Sequence, residues 1–349
     1  MRTGGLFDLQ VNGFAGVDFN SETIDADALD HALEAMLATG VTACLPTLIT
    51  APDDRLAARF FALDRAVAQS RLGPLMVPGY HLEGPFLNSG DGYSGCHPPE
   101  AMRPPDVTLV ERLSRTLARP ILLVTIAPEL AGSETFIRKL AGEGRVVAIG
   151  HSAAGAETVV AAAEAGARLS THLGNGLPQI LPKLDNSLFA QLAEDRLSAT
   201  FIADGIHLPP HALKAMLRAK GRARAILVTD AVSAAAAPPG LYPFAATMVE
   251  HAADGSVRLP GSAYLAGSAL VLDQAVRNLV DWGLSRADEA LSMASDNPRR
   301  LMAAAIAALA ANQPSSEVLW SDRLYPLVVR VGSIERRYDQ ERRSQDHDV

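Results

Sequence analysis

A (β/α)8 barrel is the fold class this sequence predicts, and three observations predict it. Eight short apolar runs rich in strand-forming residues recur along the chain, Ala- and Leu-rich helical stretches alternate with them, and an imidazole or carboxylate follows five of the eight. Such alternation builds a parallel barrel, and chemistry in a barrel collects at the C-terminal ends of its strands.

The expected strands are 6–12, 41–45, 75–80, 121–126, 145–149, 168–171, 197–202 and 225–229. Between them, DADALDHALEAMLATG, DVTLVERLSRTLARP and AGAETVVAAAEAGA carry helical patterning, with Ser, Asp or Gly near their ends as caps require. After the eighth strand the pattern changes. In MVEHAADGSVRL, Asp254 and Gly255 read as a hairpin turn between two short strands. Two helical stretches follow, SALVLDQAVRNLVDWG and ADEALSMASDNPRRLMAAAIAALAA, and EVLWSDRLYPLVVRVGSIERR returns to strand character as a small β appendage. The division expected is a barrel over 4–310, then a reduced appendage and polar tail over 311–349. The end, YDQERRSQDHDV, is expected to fray.

Composition narrows the function classes. Of 349 residues, 48% are hydrophobic and 20% charged, as in globular proteins. A net charge of −8 argues against nucleic acid or an anionic membrane as partner, since both call for clustered Lys and Arg. It leaves room for an anionic small molecule. Cys44 and Cys96 are the only cysteines, so there is neither a disulfide framework nor a CxxC zinc pattern. The start, MRTGGLFD, has no leader pattern, and no apolar run reaches the roughly 18 to 20 residues of a membrane helix. A cytoplasmic protein is the expectation.

The polar residues at the strand ends carry the chemistry. VPGYHLEGP places His81 and Glu83 after the third strand, VVAIGHS places His151 after the fifth, and RLSTHLGN places His172 after the sixth. SATFIADGIH adds Asp204 and His207 after the seventh, and AILVTDA adds Asp230 after the eighth. A single histidine at a strand end is usually structural, but a barrel gathers these ends on one rim. Glu83, His151 and His172 can then converge as two imidazoles and a carboxylate around one divalent cation, leaving positions open for water. Zinc comes first for such donors, with iron, manganese, cobalt or nickel compatible. Asp230 ends an uncharged run and is expected at the bottom of a pocket, where a carboxylate can take a proton from a bound water and return it to a leaving group. The bland alternative for Asp230 is a helix cap, and for His207 a loop histidine.

HLEGPFL, GHSAA, THLGN, IADGIHL, LVTDA and LAGS occur in that order, and over residues 4–310 the chain resembles the N-acetylglucosamine-6-phosphate deacetylases of the amidohydrolase superfamily. The resemblance implies a barrel of the metal-dependent hydrolase type, with Glu83, His151 and His172 as metal ligands and Asp230 as the catalytic acid and base. It further implies that His207 contacts substrate and stabilises the tetrahedral intermediate, and that His97, in GCHPPE, reaches the sugar. The stretch around Gly174, Asn175 and Gly176 lies where the family holds substrate hydroxyls or phosphate. The implied substrate is an N-acetylated amino sugar phosphate, cleaved to acetate and the amine; the family's usual assembly is a homodimer.

Two departures from the family stand out. Its phosphate-gripping arginine, contributed across subunits, follows the THL motif, but no arginine occurs here between His172 and Arg196, and Lys183 offers only a point charge. The N-terminal strands of the family's β-sandwich are cut to about five residues. A metal-dependent deacylase for a non-phosphorylated N-acetyl sugar, an N-acyl amino acid or a cyclic amide is therefore the main alternative. A binding protein that kept the fold and lost catalysis is another, opposed by the presence of Glu83, His151, His172 and Asp230 together.

Some residues keep ordinary readings. Cys96 is expected to be a small buried residue, His81 a support behind the ligands, and His211 and His251 surface residues; Glu129 has no assigned role. In the first strand, FDLQVNG, the residues Asp8, Gln10 and Asn12 share one face. Gln10 and Asn12 stand where many amidohydrolases carry a His-x-His pair for a second metal. Amides are poor ligands for such an ion, so one metal is expected, with both amides hydrogen-bonding near the substrate.

Overall fold

The computed structural model describes residues 1–262 and 264–339. Its centre is an eight-stranded parallel sheet of Leu6–Val11, Val41–Ile49, Tyr80–Glu83, Ile121–Ile126, Val146–Ile149, Leu169–Ser170, Ser198–Ile202 and Ala225–Val228, paired in chain order. The first and eighth strands close the barrel through a parallel bridge between Val11 and Ala231, with Asp230 N donating to the Gln10 carbonyl at 2.9 Å and Asn12 N to the Ala231 carbonyl at 2.7 Å. Closure therefore happens at the C-terminal ends of the strands.

Most of these strands are buried along their whole length. Helices pack around them by the periodicity read above. In Ala26–Ala38, Asp25 caps the start by accepting from Ala28 N at 2.9 Å, and Leu29, Leu33, Met36 and Leu37 bury one stripe. The helix ends before Gly40, at φ 83°, where a Cβ would lie 2.6 Å from the Trp320 ring. Only glycine fits that turn.

One strand lies elsewhere than expected. Residues 75–80 were read as the third strand, but Gly73–Met76 is a helical turn and the strand is Tyr80–Glu83. Pro74 sits in the first turn, where its missing N–H costs nothing. The apolar run PLMV therefore suits a helical turn as well as a strand. Glu83 is thus the last residue of the third strand itself.

After the eighth strand, Gly240–Phe244, Thr247–His251 and Val257–Arg258 form a three-stranded antiparallel sheet beside the barrel mouth. Its Phe244, Val249 and Val257 bury against Ile49, Val232 and Ala266. A second antiparallel sheet at the opposite end pairs Ser316–Trp320, Pro326–Val331 and Ile334–Arg337 with the N-terminal strand Arg2–Thr3. That short N-terminal strand was not foreseen: it is held by pairing with Leu319 and Val318 and by Trp320 Nε1 donating to Thr3 Oγ1 at 2.8 Å. Of the tail expected to fray, residues 340–349 lie outside the described residues. Among the described residues, no helix is long and apolar enough to cross a membrane.

Candidate active site

Barrel closure brings the strand-end residues onto one cavity of about 600 Å³. Asn12, Glu83, His97, His151, His172 and Asp230 line its floor. Asn175, Gly176 and His207 line its walls. Gln10 lies just beneath the surface of the floor, buried like the rest.

Three of these residues take an unusual backbone conformation. His151, His172 and Asp230 have φ of 51°, 28° and 50°, a region that residues with a Cβ rarely enter. Each such residue costs on the order of 1 to 3 kcal/mol and persists only where the surroundings impose it. The turns at these strand ends aim the side chains back across the barrel axis. Gly176, at φ 62°, packs so closely on His151 that a Cβ would lie 2.8 Å from Nδ1.

Glu83 is the hub. Its Oε1 accepts from Gln10 Nε2 at 2.9 Å and lies 3.0 Å from His172 Nε2 and 3.5 Å from His151 Nε2, while Oε2 lies 3.7 Å from His97 Nε2. His151 Nδ1 pairs with the Tyr93 carbonyl at 2.7 Å, which places the ring proton on Nδ1 and leaves Nε2 as a lone pair. Neither His151 Nε2 nor His172 Nδ1 has a hydrogen-bond partner among the described residues, although both are buried. Buried polar atoms normally find partners, and a cation is a partner that suits an imidazole lone pair.

The electrostatics agree. Burial pushes Glu83 up, but the adjoining His151 and His172 rings outweigh it and hold the carboxyl well below its ordinary range. Burial works against a charge on His172 too, and Glu83 outweighs it, so that ring sits above its usual value. Burial, helped by the His151 ring, lowers His97 to about 3 and keeps it a neutral imidazole. Burial raises Asp230 to about 6, with His172 opposing and Glu83 reinforcing the shift. Two buried carboxylates, with His97 beside them held neutral, make a site whose negative charge a divalent cation would balance. Glu83, His97 and His151 each offer a ligand atom, and these lie within 4.8 Å of one another. His97, in place of the expected His172, completes the three residues whose ligand atoms lie that close together.

The remaining expected residues fall as follows. Asn12 Nδ2 donates to Asp230 Oδ1 at 2.8 Å, and its own Oδ1 is buried without a partner among the described residues. His207 Nδ1 lies 2.6 Å from Asp204 Oδ2, which leaves Nε2 for the cavity. Asn175 uses its backbone and side-chain N–H groups on the His172 carbonyl, at 2.9 and 3.0 Å, so it closes the turn that carries His172. His81 is buried against Thr125 Oγ1 at 2.8 Å, in a hydroxyl chain that continues to Thr171. Burial raises the Cys96 thiol, which keeps it protonated and unreactive.

Sequence reasoning missed three supports. Glu129 accepts from Asn88 Nδ2, Ser152 Oγ and Ala153 N at 2.8, 2.7 and 2.6 Å, and so anchors the turn after His151. Asp8 accepts from Thr229 Oγ1 at 2.6 Å and from the backbone N–H groups of Thr229 and Gln10, which locks the strands bearing Asp230 and Asn12 together. Arg258 lines the cavity from the sheet beside its mouth. Only the alternation that turns Asp8 inward was visible beforehand.

A parallel eight-stranded barrel with a carboxylate, imidazoles and an aspartate at its strand ends defines a metal-dependent amide hydrolase of the amidohydrolase kind. No family model matches the chain. An N-acetylgalactosamine-6-phosphate deacetylase of Escherichia coli O157:H7 is 34% identical over 297 residues, 84% of this chain and 76% of the relative. An N-acetylglucosamine-6-phosphate deacetylase of Danio rerio is 32% identical, over 85% of this chain and 74% of its own length. The solved N-acetyl-D-glucosamine-6-phosphate deacetylase of Mycobacterium smegmatis superposes with a TM-score of 0.82 at 29% identity, covering 95% of this chain and 86% of that one. The chain belongs to the N-acetylglucosamine-6-phosphate deacetylase family.

Proposed function

We propose that this chain removes the acetyl group from an N-acetylated amino sugar phosphate, releasing acetate and the free amine. The observation that carries the reading is the Glu83, His151 and His172 cluster set against Asp230 on the floor of one sugar-sized cavity. The names of the relatives supply the substrate class.

Glu83, His151 and His172 would hold one divalent cation, zinc first, with His97 close by. Bound there, the cation supplies a Lewis acid for the acetamide carbonyl and makes a neighbouring water acidic enough to attack it. Asp230 takes the proton of the attacking water. Its raised value near 6 lets it accept that proton and give it back at neutral pH. The proton goes next to the amide nitrogen, which is otherwise too poor a leaving group. With Nδ1 of His207 held by Asp204, only Nε2 is left for the substrate, and a proton there would stabilise the charge that develops on the carbonyl oxygen. Asn12 orients Asp230, and Gln10 orients Glu83.

The test is acetate release by metal-reconstituted protein from N-acetylglucosamine 6-phosphate, its galactose epimer and the unphosphorylated sugars. Turnover of an N-acetylhexosamine with about one metal per chain is expected. No acetate from any of them, with turnover of N-acyl amino acids or cyclic amides instead, would replace this reading with the main alternative.

A further inference from the structure

A substrate carrying a phosphate brings negative charge into a cavity whose floor already holds Glu83 and Asp230. Something cationic is needed away from that floor. Between His172 and Arg196 the chain has no arginine, and Lys183 in that stretch is exposed and does not line the cavity. Arg196 itself does not line the cavity. Among the described residues that line the cavity, Arg258 is the only arginine or lysine.

We propose that Arg258 is the phosphate anchor of this enzyme, a role taken within one chain by the sheet at the barrel mouth. This rests on the deacetylase reading and names the group that recognises the far end of its substrate.

The placement of Arg258 is built, not incidental. Its strand, Val257–Arg258, pairs with Thr247–His251, and Val257 buries in the small core under the sheet. Arg258 is bridged to Leu265, Ala266 N donates to the Val257 carbonyl at 3.0 Å, and Ser268 N donates to the Asp230 carbonyl at 3.0 Å. A short run of backbone bonds thus connects the guanidinium's strand to the end of the catalytic strand. Arg258 Nε donates to Ser256 Oγ at 3.2 Å, and Ser256 Oγ donates to Asp254 Oδ1 at 2.6 Å, which helps to hold the side chain in place. Glu250, opposite in register, is exposed, where solvent screens its charge. A planar guanidinium meets phosphate oxygens in pairs, and a lysine cannot reproduce that fork.

The test uses the metal-loaded chain in wild-type, R258A and R258K forms, with R258Q replacing R258A should the alanine variant not fold. The kcat/KM is measured for N-acetylglucosamine 6-phosphate and for N-acetylglucosamine, and binding of inorganic phosphate is followed by calorimetry. R258A is expected to lose about 10- to 100-fold on the phosphorylated sugar, mainly through KM, and less than about twofold on the unphosphorylated one. R258K recovers part of the loss, and phosphate binding weakens in parallel. An equal loss on both sugars, or unchanged phosphate selectivity in R258A, overturns the proposal; the second result moves the anchor to another group, such as one from a second copy of the chain. Wild-type protein that deacetylates only the unphosphorylated sugar overturns it while leaving the deacetylase reading intact. If the wild type releases no acetate from either sugar, the deacetylase reading fails, and phosphate affinity unchanged by R258A then overturns the Arg258 assignment as well.

Discussion

At the ends of the third, fifth and sixth strands Glu83 meets His151 and His172, and His151 Nε2 has no hydrogen-bond partner among the described residues, whereas at the end of the first strand Gln10 and Asn12 each direct an N–H at a carboxylate. The two sides of one rim handle negative charge differently. On the imidazole side His151 leaves its Nε2 lone pair 3.5 Å from the Glu83 carboxylate, an arrangement that suits a cation. On the amide side, hydrogen bonds already reach Glu83 and Asp230, and a neutral amide offers a second cation little. Under the proposed function, the contrast accounts for a single metal beside a carboxylate available for proton transfer.

The contrast can be broken most forcefully on the imidazole side. E83Q, or prolonged chelation of the wild type, should remove the metal and lower kcat/KM by at least about 10,000-fold, because both the Lewis acid and its anchoring charge are lost. Metal analysis alongside kinetics checks this, and an active E83Q that keeps its metal would dissolve the distinction between the two sides.

D230N should lower kcat by about 100- to 10,000-fold with metal content unchanged. The same variant removes a buried carboxylate from a position where asparagine tolerates φ 50°, so its thermal unfolding should come at a higher temperature. Loss of the metal in D230N would mark Asp230 as a ligand.

Converting the amide side to imidazoles is a sharper probe of the comparison. Q10H/N12H is expected to raise metal content from about one per chain toward two, measured by elemental analysis. A wild type that already holds about two would refute the single-metal reading.

The smallest effect concerns Asp8, whose carboxyl burial raises to about 7 against hydrogen bonds from Thr229. A native state that holds this proton to higher pH than the unfolded chain binds more protons, so stability is greatest below the ordinary value of 3.8 and declines as pH rises through about 7. Denaturant titrations of the metal-free protein should show that slope, and D8N should flatten it.

Much of the fold was legible beforehand because alternating strands and helices leave a periodic record in burial: the pattern in DADALDHALEAMLATG is the stripe that Leu29, Leu33, Met36 and Leu37 bury. The third strand was misplaced because PLMV is apolar in either conformation and its one proline, Pro74, suits the first turn of a helix. In the site, the residue types at the strand ends were readable, but their partners were not. Nothing local in TIAPE shows that Glu129 anchors the turn after His151, and nothing in GSVRL shows that Arg258 borders the same cavity as Glu83.

The sequence by itself determined the barrel, its family and the types of donor on its rim, since these follow from periodicity and from side-chain chemistry carried residue by residue. Which nitrogen faces which oxygen was decided only in three dimensions. Gln10 reaches Glu83 across 73 positions, Asn12 reaches Asp230 across 218, and Asp8 meets Thr229 across 221. Such pairings exist because the first strand closes against the eighth, and sequence spacing carries no trace of a contact made by closing a ring.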